Sequence, residues 1–299
     1  MQRIRRVLIW LGWLLLAAAP ALAQEATPAS EADRARLNAA TAQFLEADTL
    51  HLSLDFAVFL GGAEDEPPLL ELALTGKLAL DLVNERGGGA FNGEMDGDSQ
   101  AIHVVMSGDA LYLRTAGPWY GLSLAETLGS TDIGSLTGGE EVELPSLDLG
   151  AHSEMWRLAD VDGAEGLFQL QNRLNLLSLV TDPGLTAAVS ALLSDEIAGQ
   201  AGMTSEEITA LLPLLAFLLQ EPRVDTTYRI DAGSGQLREI ESVISGALNP
   251  AALGAEGTPI TIDIGLTLGI AQGLAVTIAE IPTDATFVTL DELLSGALP

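Results

Sequence analysis

The chain has 299 residues, 48% of them hydrophobic and 5% aromatic, with 42 acidic and 13 basic side chains and a formal net charge of −29. That charge argues against nucleic acid and anionic surfaces as electrostatic partners. The absence of cysteine excludes disulfides, thiolate catalysis and cysteine-based metal sites.

The N-terminus reads as an export signal. Arg3, Arg5 and Arg6 precede an apolar run from Val7 to Ala19, and Ala21-Leu22-Ala23 offers a small-x-small cleavage site before Gln24. These are the three parts of a secretory signal peptide, and the run is short for a membrane span of ~20 residues. Residues 1–23 are therefore expected to be removed, which places the mature chain in the periplasm, at the cell envelope or outside the cell. It keeps 42 acidic residues against 10 basic ones, about −32, with Lys77 its single lysine. A lipobox cysteine, which would anchor a bacterial lipoprotein, is missing.

Residues 24–30 form a short flexible lead. Ser30, with Asp33 three positions on, begins a helix expected from Glu31 to about Ala47, with Leu37, Ala40, Phe44 and Leu45 at helical spacing. The period then becomes two. Leu50, Leu52, Leu54, Phe56, Val58 and Leu60 alternate with polar residues, as do Leu70, Leu72, Leu74, Leu78, Leu80 and Leu82. Such alternation predicts antiparallel strands with one apolar and one wet face. Gly87-Gly88-Gly89 reads as a turn, followed by strands at about 90–95, 100–106 and 110–114. Residues 121–150 lack any period and read as a long loop. A strand pair is expected at 155–161 and 166–174.

From about 176 to 220 the pattern predicts a helical insertion, with starts at Asp182-Pro183 and at Thr204 to Glu207. Its second half, Ile208 to Leu219, is apolar nearly all round, more than the ~100° stripe that one contact needs. Leu212, Leu215 and Leu219 lie there. Strands return at 224–231 and about 236–246, then at 260–270, where Ile260, Ile262, Ile264, Leu266, Leu268 and Ile270 share one face. A last strand is expected at about 274–281.

These elements predict one α+β domain over 31–299: a large curved antiparallel sheet, half-barrel in form, covered on its apolar face by helices. If the sheet curls toward that face, its apolar rows line a hollow. The candidate cavity residues are Leu52, Leu54, Phe56, Leu72, Leu74, Leu78, Leu80, Leu212, Leu215, Leu219, Ile262, Ile264, Leu266 and Leu268. An ordinary solid core is the alternative.

The order of these elements resembles a known family. It runs from a signal and a helix to Leu50-His51-Leu52-Ser53-Leu54-Asp55-Phe56 and Leu74-Thr75-Gly76-Lys77-Leu78. Gly108-Asp109-Ala110-Leu111-Tyr112-Leu113 follows, with Trp119 after it, then Tyr228-Arg229-Ile230-Asp231 and a close on Ile281-Pro282. This is similar to the LolA-like periplasmic lipoprotein carriers and the LppX/LprG-type lipid-binding lipoproteins. The resemblance implies a half-barrel holding acyl chains. It implies a binding or carrier protein for a lipid or other hydrophobic small molecule; a monomer with transient membrane or partner-protein contact and no cofactor is expected. The missing cysteine departs from the anchored LppX/LprG group. The alternative function is an exported structural or protein-interaction domain without a ligand.

No enzyme is expected. His51, His103 and His152 are far apart and follow no metal-ligand spacing, so no metal is expected either. Gly121-Leu122-Ser123-Leu124-Ala125 lacks the final glycine of a nucleophile elbow. The acidic turns at 94–98 and 160–163 lack the closing glutamate of an EF-hand.

Overall fold

A computed structural model of the protein describes residues 26–61, 68–95, 97–123, 149–158, 166–182, 219–249 and 259–289, with Gly184 and Glu292. The expected signal peptide, most of the 121–150 loop, and Leu212 and Leu215 lie outside the described residues.

Thirteen strands form one sheet. In chain order they are β1 (Ala26–Pro28), β2 (Thr49–Gly61), β3 (Leu70–Asp81), β4 (Arg86–Met95), β5 (Asp98–Ser107), β6 (Ala110–Arg114), β7 (Tyr120–Ser123), β8 (Ser153–Leu158), β9 (Leu167–Leu174), β10 (Leu219–Asp231), β11 (Leu237–Leu248), β12 (Ile260–Gln272) and β13 (Thr286–Phe287). Their spatial order is β1-β8-β9-β10-β11-β12-β2-β3-β4-β5-β6-β7-β13. Only the β13–β7 pair is parallel among the described strands. The pivotal junction is β12 with β2, which runs from Thr261 opposite Gly61 to Gln272 opposite Leu50. It joins the late strands to the early ones, so the long apolar rows of both halves become neighbours.

The helix α1 (Glu31–Glu46) begins as the sequence predicts. Ser30 Oγ accepts from the Asp33 amide while the Asp33 carboxylate accepts from the Ser30 amide, a reciprocal capping box that satisfies two otherwise orphaned donors. Leu37, Ala40 and Phe44 are its buried residues. They pack on Leu50, Leu52, Leu80, Leu170, Tyr228, Ile230, Leu237, Ile240, Leu268 and Ile270 in the main core. The helix therefore covers the apolar face at the end where β2 begins and β12 finishes. Burial without a charge partner pushes the Tyr228 hydroxyl pKa upward.

Four expectations fail. Ala26–Pro28, within the expected flexible lead 24–30, is β1, paired antiparallel with β8. Gly87, Gly88 and Gly89 lie inside β4, not in a turn. They belong there because a side chain has no room: a Cβ on Gly89 would overlap the Lys77 carbonyl. The turn sits one step earlier, at 82–85, where Glu85 takes φ +53.

The helical insertion is contradicted at its end, since Leu219 opens β10 and pairs with Leu248. At its start the expectation holds: α2 (Leu176–Val180) is helical, and past Asp182 the helical Gly184 donates its amide to Asp182 Oδ1 at 2.6 Å.

Residues 274–280 form no strand. Both edges of β12 are already taken, by β11 and β2, so the continuing chain cannot turn back beside β12. It leaves as a strap over the outward face, where the Ala275 carbonyl lies 3.3 Å from His51 Nε2 and Ile278 lies against Gly88. It then pairs briefly with β7 as β13.

Candidate functional site

The even-numbered residues of β2 set the pattern of the inner, apolar face. Leu50 and Leu52 are buried beneath α1, whereas Leu54, Phe56, Val58 and Leu60 are half-buried. Register carries this gradient across the sheet. Phe56 lies between Leu266 and Leu74, Val58 between Ile264 and Leu72, and Leu60 between Ile262 and Leu70. Leu72, Leu74, Ile262, Ile264 and Leu266 are all half-buried.

The structure thus divides the candidate cavity residues. Leu52, Leu80 and Leu268 belong to the closed core under α1, with Leu54, Leu78 and Leu266 packed at its margin. Phe56, Leu72, Leu74, Ile262 and Ile264 extend the apolar face beyond it. A second small cluster borders them, where Leu176 and Leu179 of α2 pack with Leu174, Val224 and Ile244. The inner face thus has helical cover at α1 and, further along the sheet, at α2.

Between these two covers runs a row that alternation did not single out. Met155 of β8, Asn172 of β9, Thr226 of β10 and Ser242 of β11 lie side by side, followed by Leu266, Phe56 and Leu74. Thr226 and Ser242 are each 1% exposed, and Ser242 Oγ lies 3.4 Å from Thr226 Oγ1. The Asn172 Oδ1 atom is buried and has no hydrogen-bond partner among the described residues. The rows on either side are apolar: Leu170, Tyr228, Ile240 and Leu268 toward α1, and Leu174, Val224, Ile244 and Ile264 toward α2. A polar side chain at an inward strand position is the only sequence signal for this row.

At the α2 end, His152 bridges two groups. Its Nδ1 lies 2.8 Å from Ser178 Oγ and its Nε2 2.9 Å from Asp182 Oδ2. The three come from the 3₁₀ turn Leu149–His152, from α2 and from the residue after Thr181. The Asn175 amide donates to the His152 carbonyl and the Ser178 amide to Asn175 Oδ1, which fixes turn and helix against each other.

The outward face carries most of the charge pairs. Arg229 meets Glu239 and Glu241. Arg173 Nε lies 2.7 Å from Asp225 Oδ1, and Asp225 is 0% exposed. That hydrogen bond raises the Arg173 pKa further. Hydrogen bonds from Ser234 hold the Asp231 carboxyl at about 2. Grooves of about 520 and 570 Å³ share Ser53, Lys77, Ala90 and Gly269 of this face. Among the described residues no cluster of three or more His, Asp or Glu is placed to hold a metal ion, and no helix is long and apolar enough to cross a membrane.

No protein-family model matches the chain, that of the LolA-like carriers included, and no curated protein matches it. Several solved structures are similar, two of them as follows. A structure of lipid–protein interactions in lipovitellin shares 9% identity at TM-score 0.30, over 78% of this chain and 26% of lipovitellin. This chain therefore spans about a quarter of lipovitellin's length. A β-barrel-like DUF1849 protein from Brucella abortus shares 8% identity at TM-score 0.19, over 75% of this chain and 96% of that one. The class to which the described residues belong is a large antiparallel sheet packed by helix.

Proposed function

We propose that the protein is an exported carrier that holds a lipid or another apolar ligand against the inner face of its sheet and releases it unchanged. One observation supports this reading above others. The inner face stays apolar across β12, β2 and β3 well beyond the closed core, and its residues there are only half-buried. A sheet that needed only a solid core gains nothing from leaving such rows short of full burial, because each buried CH₂ contributes about 0.8 kcal/mol. Titration with a fluorescent fatty acid tests the reading. Saturable binding is expected, and its absence in folded protein contradicts it.

A second reading, hydrolysis of an ester, is favoured by the Ser178–His152–Asp182 chain. With the proton on Nε2 facing Asp182, Nδ1 accepts the Ser178 hydroxyl proton as Oγ attacks an ester carbonyl. The proton then passes to the leaving alcohol, and water releases the acyl group. Both ring nitrogens are exchanged relative to the usual serine-hydrolase order. Incubation with a fluorophosphonate decides: a mass increase on the peptide bearing Ser178, lost in Ser178→Ala, supports hydrolysis, and an unlabelled protein removes it.

A further inference from the structure

The polar row Asn172–Thr226–Ser242 stands inside the apolar face, and it points to the kind of ligand the face takes. We infer that the row receives the hydroxyl-bearing head of an amphiphile whose hydrocarbon part lies over β12, β2 and β3. This inference rests on the carrier reading above.

Thr226 and Ser242 are buried in register on adjacent strands and lie within reach of each other. Asn172, next in the row, is different. Its Oδ1 is out of reach of solvent and unpaired among the described residues. Leaving a buried carbonyl unpaired is costly, so such groups normally find a partner. Of its neighbours along and across the sheet, Met155, Leu170 and Leu174 have no donor side chain, and the Thr226 hydroxyl, which lies beside Ser242 Oγ, makes no hydrogen bond to it. With no donor bonded to it among the described residues, a ligand hydroxyl is the best match. It donates to a carbonyl oxygen and accepts from an amide nitrogen, so it satisfies the Asn172 side chain in either orientation.

The row also has direction. Its polar members lie on β9, β10 and β11, and the same row continues as Leu266, Phe56 and Leu74 on β12, β2 and β3. Four strand spacings separate Asn172 from Phe56, about 19 Å. One end of the row is matched to a polar head and the other to a hydrocarbon tail. A pure hydrocarbon leaves Asn172 unpaired; an alcohol does not.

The test displaces a fluorescent fatty-acid probe with dodecan-1-ol and with dodecane, from wild type and from Asn172→Leu. In wild type the alcohol is expected to compete about tenfold better than the alkane, beyond the preference of the probe-free solvent partition. Asn172→Leu is expected to abolish that advantage while leaving the alkane unchanged. If the wild-type protein treats the two alike, the inference is overturned without any variant, and the carrier reading stands. An advantage that persists in folded Asn172→Leu also overturns it. If neither compound nor the probe binds, the carrier reading falls and this inference with it.

Discussion

Asp225 is 0% exposed and Arg173 is its partner, with the Arg173 side chain 42% exposed. The two ends of this pair are unequal. Arg173→Leu leaves a carboxylate buried and unpaired, whereas Asp225→Leu leaves a guanidinium that still reaches water. The first change is expected to cost about 3 kcal/mol and the second clearly less, both read from urea unfolding. Equal losses, or a loss below about 0.5 kcal/mol for Arg173→Leu, contradict this. Nothing in the sequence marked Asp225. Alternation placed it correctly on the outward side of β10, opposite Val224 and Thr226. But alternation reports which residues share a face, not whether that face is covered. Around Asp225 the outward residues Gln169, Gln171 and Thr227 are buried too.

At the scale of elements, local signals were legible and edge availability was not. The capping pair Ser30 and Asp33 announced α1, and two-residue periods announced β2, β3 and β12 to within two residues. The strap was misread because the pattern of 274–281 favours a strand, while the pairing of β12 with β2 leaves it no place beside β12. Leu219 was misread as helical because an apolar run has no period to distinguish the two states. Its strand nature follows from the long-range partner Leu248. β12 matters most for the site, since it carries Ile262, Ile264 and Leu266 into contact with β2. Leu266→Asp places a charge on the inner face beside Phe56, and a desolvated carboxylate opposes an apolar ligand strongly. Fatty-acid binding is expected to weaken at least tenfold in a variant whose far-ultraviolet circular dichroism is unchanged. Undiminished binding by such a variant takes β12 out of the site.

Across the whole molecule, one closed core under α1 stabilises one end of the sheet, and the apolar rows continue past it toward α2. The first part of this was readable from Leu37, Ala40 and Phe44. The polar row was not, because Asn172 and Ser242 are ordinary in a strand until register aligns them with Thr226. The most direct measurement is native mass spectrometry of the mature protein purified without detergent, followed by organic extraction. The account predicts a bound species whose mass is lost on extraction and whose extract contains a hydroxyl-bearing amphiphile. A single unliganded mass, with no apolar compound in the extract and no uptake of added fatty acid, contradicts it and favours a solid-core interaction domain.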